Sequence, residues 1–120
     1  MMDIRKFSLL NRLRCEAEEG FNHPLQSWSL SDWFLATTGE LGEAANVAKK
    51  LNRVRDGIPG NKQTPEELRE KLKREIGDTY IYLDLLTQAA GIDLEDAIIT
   101  SFNEKSKEVG CSILVEERDM

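Results

Sequence analysis

TPEELREKLKREIGDTYIYLDLLTQAAG, residues 64–91, decides the fold. Thr64 is a helix cap, Pro65 suits the first helical position, and Glu67 is the reciprocal acid of a capping box. Leu68, Leu72, Ile76, Leu83, Leu86 and Ala90 then recur at helical spacing until Gly91. The pattern predicts a helix over about 65–90 with one core-facing stripe.

Working outward, residues 56–63 are polar and Gly-rich and read as a loop. Gly57-Ile58-Pro59-Gly60-Asn61-Lys62 lacks phosphate-loop spacing and follows a helix rather than a strand. Before it, Ser29 and Asp32 have capping-box spacing, and a periodic segment runs over about 30–55. Its apolar arc comprises Phe34, Leu41, Ala44, Ala45, Val47, Ala48 and Leu51. A first helix is expected over about 3–19, with Ile4, Phe7, Leu10, Leu13 and Ala17 in register and Gly20 as its stop. Residues 21–28 are a loop broken by Pro24. Downstream, Asp93 caps a helix over about 94–109, striped by Leu94, Ala97, Ile98, Phe102 and Val109. Residues 111–120 read either as a short extended segment or as a subunit contact. The body of the chain carries no repeat and no alternating strand pattern, so the expected fold is all-α, a four-helix-bundle-like single domain over 1–120.

Composition narrows the partners. The net charge is −6 and the pI about 4.9, so no general basic field exists for a nucleic-acid polymer or an anionic membrane. A polyphosphate ligand would need an intervening cation. Forty per cent hydrophobic residues allow only a modest core in 120 residues, which makes an obligate oligomer plausible. Cys15 and Cys111 are far apart with no CxxC pair, as expected of reduced thiols in the cytoplasm, and neither a signal peptide nor a membrane-spanning stretch is evident.

The informative feature is where four carboxylates fall. Glu40-Leu41-Gly42-Glu43 and Glu75-Ile76-Gly77-Asp78 each place two acids at i and i+3, one turn apart on one face. Glu40 falls inside the apolar arc of the 30–55 helix and Glu43 at its edge, while Glu75 projects within the stripe of the 65–90 helix. Such acids repel one another and resist burial, and a hard divalent cation, Mg²⁺ above all, neutralises them best. Either motif alone is an ordinary solvated pattern; the conjunction on consecutive helices points to a metal site. Gly42 and Gly77 would let a backbone or ligand approach closely. The sole histidine, His23, precedes Pro24 and reads as a turn residue; a di-iron bundle would want a histidine three residues after a glutamate on paired helices.

Taken in order, Gly39-Glu40-Leu41-Gly42-Glu43, Glu75-Ile76-Gly77-Asp78, Gly91-Ile92-Asp93-Leu94-Glu95 and Phe102-Asn103-Glu104-Lys105 resemble the MazG-like branch of the all-α nucleoside triphosphate pyrophosphatases. The resemblance implies hydrolysis of a (deoxy)nucleoside triphosphate to the monophosphate and pyrophosphate. It implies Mg²⁺, replaceable by Mn²⁺, on Glu40, Glu43, Glu75 and Asp78, which also serve as the catalytic acids. It implies phosphate contacts from Lys105 and from Lys71, a hydrogen bond from Asn103 to sugar or phosphate, and a homodimer or homotetramer with helices packed across subunits. Trp28 is a candidate for stacking on the base, and Trp33 for packing. Many relatives carry an arginine where this chain has Val109, with Lys107 nearby. A single-substrate relative, acting on dUTP, dCTP or phosphoribosyl-ATP, fits the same motifs. So does a non-catalytic helical interaction module with a structural cation site.

Overall fold

A computed structural model of the chain describes residues 2–116. Four α-helices order it: α1 Ile4–Glu16, α2 Leu30–Arg55, α3 Pro65–Ala89 and α4 Leu94–Glu108, with a 3₁₀ turn at Leu25–Ser27. No strand occurs among the described residues. The chain is all-α.

The helix starts are local chemistry. Ser29 and Asp32 exchange both bonds of a capping box, at 3.2 and 2.9 Å, and Thr64 and Glu67 do the same at 3.1 and 3.3 Å. At the far end of α3, Gly91 adopts φ +71°, a conformation that costs glycine nothing. Its amide bonds to Gln88 O and that of Ile92 to Thr87 O, satisfying carbonyls that the helix leaves open. The same paired bonds end α2 and α4.

α1 is shorter than its periodicity predicts. It stops at Glu16, and Ala17 is extended. The chain reverses so that Phe21 N bonds to Arg14 O and His23 N to Cys15 O. Gly20 is needed for that reversal rather than as a helix stop, because a Cβ there would run into the Arg14 carbonyl. The reversal delivers Leu25, fully buried, whose amide bonds to Glu16 Oε2 at 3.0 Å and whose carbonyl accepts Trp33 Nε1 at 3.0 Å.

α2 and α3 form an antiparallel hairpin, which is the dominant packing unit, and α1 lies against α3. The core joins Cys15, Leu25, Trp33, Leu85 and Leu86, flanked by Trp28, Ile81, Tyr82 and Ala89. Asp84, fully buried, ties α1 to α3: its carboxylate accepts from Ser8 Oγ, from Asn11 Nδ2 at 2.9 Å and from Gln88 Nε2 at 3.0 Å. Arg5 on α1 pairs with Asp93 and Glu95 at the start of α4.

α4 otherwise makes few contacts with the rest of the chain. The radius of gyration is 17.8 Å, against about 13–14 Å for a compact domain of this length. Several residues read as core are consequently exposed: Phe34 and Leu41 on α2, Ile76 and Leu83 on α3, and Ile98 and Phe102 on α4. Leu10 and Leu13 on α1 are also exposed. Their periodicity is real, but within one chain each helix has a neighbour on only part of its apolar arc. The tail from Cys111 to Glu116 is irregular and is clasped by Asn103, whose side chain donates to Val115 O at 3.0 Å and accepts from Val115 N at 2.8 Å. The rest of the ambiguous tail, 117–120, lies outside the described residues. No described helix is long and apolar enough to cross a membrane.

Candidate metal centre

The α2–α3 pairing sets Glu43 opposite Glu75, and the i, i+3 spacing on α2 brings Glu40 to the same place. One carboxylate oxygen from each of Glu40, Glu43 and Glu75 lies within 4.8 Å of the others. Glu40 and Glu75 are half-buried, and Glu43 is exposed. Asp78 is not a member of that trio. It is exposed, one turn along α3, yet near enough for its charge to act on both Glu40 and Glu75.

Electrostatically the trio is strained. Burial raises the Glu40 pKa above the ordinary carboxylate value, and the charges of Glu43, Asp78 and Glu75 raise it further. Burial also raises that of Glu75, helped by a hydrogen bond to Glu43 and by the charges of Glu43 and Asp78, against a lowering by Lys71. The other oxygen of Glu75, Oε2, is buried with no hydrogen-bond partner among the described residues. A buried acceptor without a donor is costly, and oxygens converging in this way fit a hard oxygen-seeking cation such as Mg²⁺.

A sign follows for pH. Glu40 and Glu75 hold protons to higher pH in the folded chain than in the unfolded one, so stability they contribute at low pH is lost as pH rises through their raised values. A bound divalent cation removes that loss. The increase in melting temperature from Mg²⁺ over EDTA is therefore expected to grow steadily as the pH rises above the ordinary carboxylate range. An increment that does not change with pH would show that these carboxylates are not its source.

Beside the acids, Glu40 and Asp78 line one wall of a cavity of about 460 Å³. The other walls are largely aromatic: Phe21, His23, Trp28, Trp33 and Tyr82, with Arg14. The rings of His23 and Trp28 meet edge-on at 4.5 Å, and those of Trp28 and Trp33 at 4.7 Å. Trp33 is buried as packing, as expected, whereas Trp28 is half-buried on the cavity wall. His23 does precede Pro24 in the turn, but its ring also belongs to this wall. Burial, then the charges of Glu40 and Asp78, raise the Tyr82 pKa.

Of the residues singled out from the sequence, the structure thus joins Glu40, Glu43 and Glu75, with Asp78 and Lys71 beside them and Trp28 in the adjoining cavity. Asn103 and Lys105 do not line that cavity. The Asn103 amide is engaged by Val115, and Lys105 Nζ pairs with Glu108 at 3.0 Å. A Cβ at Gly42 or Gly77 would meet nothing within 4 Å, so among the described residues no backbone makes the close approach their position suggested. Phe21, Arg14 and the wall position of His23 carry no signal in the sequence pattern, because they are brought together by the reversal after α1, which has no periodicity. Comparison of the chain with protein-family models, curated proteins and solved structures found no match.

Proposed function

We infer that this chain is a Mg²⁺-dependent nucleoside triphosphate pyrophosphohydrolase of the MazG-like kind. The observation that carries the reading is the convergence of carboxylate oxygens of Glu40, Glu43 and Glu75 from two helices, with Glu75 also carrying a buried oxygen that has no hydrogen-bond partner among the described residues. Glu40, Glu43 and Glu75 would hold the cation, whose positive charge would offset theirs and that of the substrate phosphates. The aromatic cavity next to Glu40 and Asp78 suits a base, with Trp28 as the stacking surface. Water attacks the α-phosphorus and the bond to the bridging oxygen breaks, releasing monophosphate and pyrophosphate. A carboxylate of the cluster takes the water's proton, and Asp78, outside the trio, is the acid freest to do so.

A homo-oligomer belongs to this reading. The open shape, the exposed apolar residues on all four helices and the open space over Gly42 and Gly77 each leave room for a second copy. Lys105 would then reach a phosphate from another subunit.

One observation favours the rival in which the acids hold a structural cation in a non-catalytic module: within this chain Asn103 and Lys105 are engaged away from the cavity. Pyrophosphate release from a panel of ribo- and deoxynucleoside triphosphates, in Mg²⁺ and in EDTA, separates the two. The enzyme reading expects Mg²⁺-dependent release from at least one nucleotide. No release from any of them, while Mg²⁺ still raises the melting temperature, leaves the structural cation site.

A further inference from the structure

Eight lysines are present, and among the described residues only Lys50 and Lys71 are not exposed. Neither has a carboxylate within 4.0 Å among the described residues. Their stems are partly covered by the helix pair, and the charge of Lys71 already acts on Glu75.

Their positions are aligned with the acids. Lys50 is seven residues beyond Glu43 on α2, two helical turns along the same stripe and about 10 Å further along the axis. Lys71 is four residues before Glu75 on α3, one turn and about 6 Å away. Because the two helices are antiparallel, both displacements point the same way, toward the loop at 56–64. Glu40 and Asp78 lie one turn from their partners in the opposite direction, against the aromatic cavity. The order along the hairpin is cavity, acids, lysines.

The surrounding charge follows the same axis. Nine of the sixteen Lys and Arg residues, but four of the twenty-two Asp and Glu, lie within 49–74, a local net charge of +5 that leaves −11 for the remainder. An acidic chain thus presents one positive end, on the far side of the acids from the cavity.

We propose that Lys50 and Lys71 form a track for the outer phosphates of a polyphosphate chain, so that a nucleotide lies with its base in the cavity and its terminal phosphate toward the 56–64 loop. This rests on the pyrophosphohydrolase reading and adds a direction and a discriminating residue, Lys50. The track rewards chain length: each phosphate beyond the one at the acids meets a further lysine.

The test is calorimetric titration of the Mg²⁺-loaded full chain with orthophosphate, pyrophosphate and tripolyphosphate, on wild type, Lys50→Gln, Lys71→Gln, Lys50→Arg and Lys49→Gln. Wild-type affinity is expected to rise with phosphate number. Lys50→Gln and Lys71→Gln should each lose about tenfold on tripolyphosphate, with orthophosphate binding little changed, while Lys50→Arg retains the preference. Lys49→Gln, an exposed neighbour, should behave as wild type. Equal wild-type affinity for the three probes, or an equal loss in Lys49→Gln and Lys50→Gln, would overturn the track. Mg²⁺ titrated alone into each protein keeps the two readings apart: absent Mg²⁺ binding by wild type removes the metal site itself, whereas intact Mg²⁺ binding without length preference removes only the track.

Discussion

Glu75→Gln is expected to lower kcat/KM for Mg²⁺-dependent nucleotide hydrolysis by on the order of 10²-fold or more, as loss of one charged metal ligand does, while making the metal-free chain more stable. The two effects have one cause. Glu75 carries the buried oxygen that has no hydrogen-bond partner among the described residues and lies against Glu43, so its charge is unfavourable in the metal-free chain. Glutamine has the same shape, offers an amide donor to Glu43 and removes one like charge. The metal-free melting temperature should therefore rise, and the further rise on adding Mg²⁺ should shrink. The checks are initial rates with the best nucleotide of the panel and melting curves in EDTA and Mg²⁺. A variant with full activity would remove Glu75 from the site. One that is less stable without metal would show that its carboxylate is a structural partner and not a strained ligand.

Asp84→Ala has the largest expected effect on stability, a loss of about 3 kcal/mol. Asp84 is fully buried and accepts from three uncharged side chains, Ser8, Asn11 and Gln88, with no cation in the network. Its removal empties the hub, although each donor keeps one backbone carbonyl: Ile4 for Ser8, Ile81 for Asn11 and Ser8 for Gln88. Those remaining bonds limit the loss. Chemical denaturation should report it, and because every bond lost joins α1 to α3 or steadies that junction, amide exchange in α1 should accelerate most. A loss below about 1 kcal/mol, the size of one ordinary hydrogen bond, would mean that the network does not hold α1 in place.

Asp84 also shows where the sequence stops being legible. It sits within Leu83-Asp84-Leu85-Leu86, an acid inside an apolar run, yet nothing in that run says which helix supplies its donors. What was legible is local: both capping boxes, the boundaries of α2, and the ends of α3 and α4 to within a residue, all set by side chains a few positions away. The end of α1 was not, since tertiary burial of Leu25 and not a helix stop sets the reversal there. Glu40, Glu43 and Glu75 could be placed together because helical spacing aims them at facing stripes. The exclusion of Asp78 from the trio depends on the rotation and separation of two helices, which spacing alone does not fix. Phe34, Leu41 and Ile76 make the same point for the core: periodicity identifies a face made to be covered, without saying by what. Lys50, beside Lys49, looks like half of an ordinary charge pair until burial distinguishes them.

The Asp84 network spans a long stretch of chain, with partners 73, 76 and 80 residues apart, whereas α2 and α3 are joined by a short loop. Closing the short connection costs less chain entropy, so during folding the hairpin gains its contacts before α1 can reward the longer closure. Glu40, Glu43 and Glu75 all belong to the hairpin. Folding would thus bring these acids, and their mutual repulsion, together before docking the segment that builds the aromatic wall.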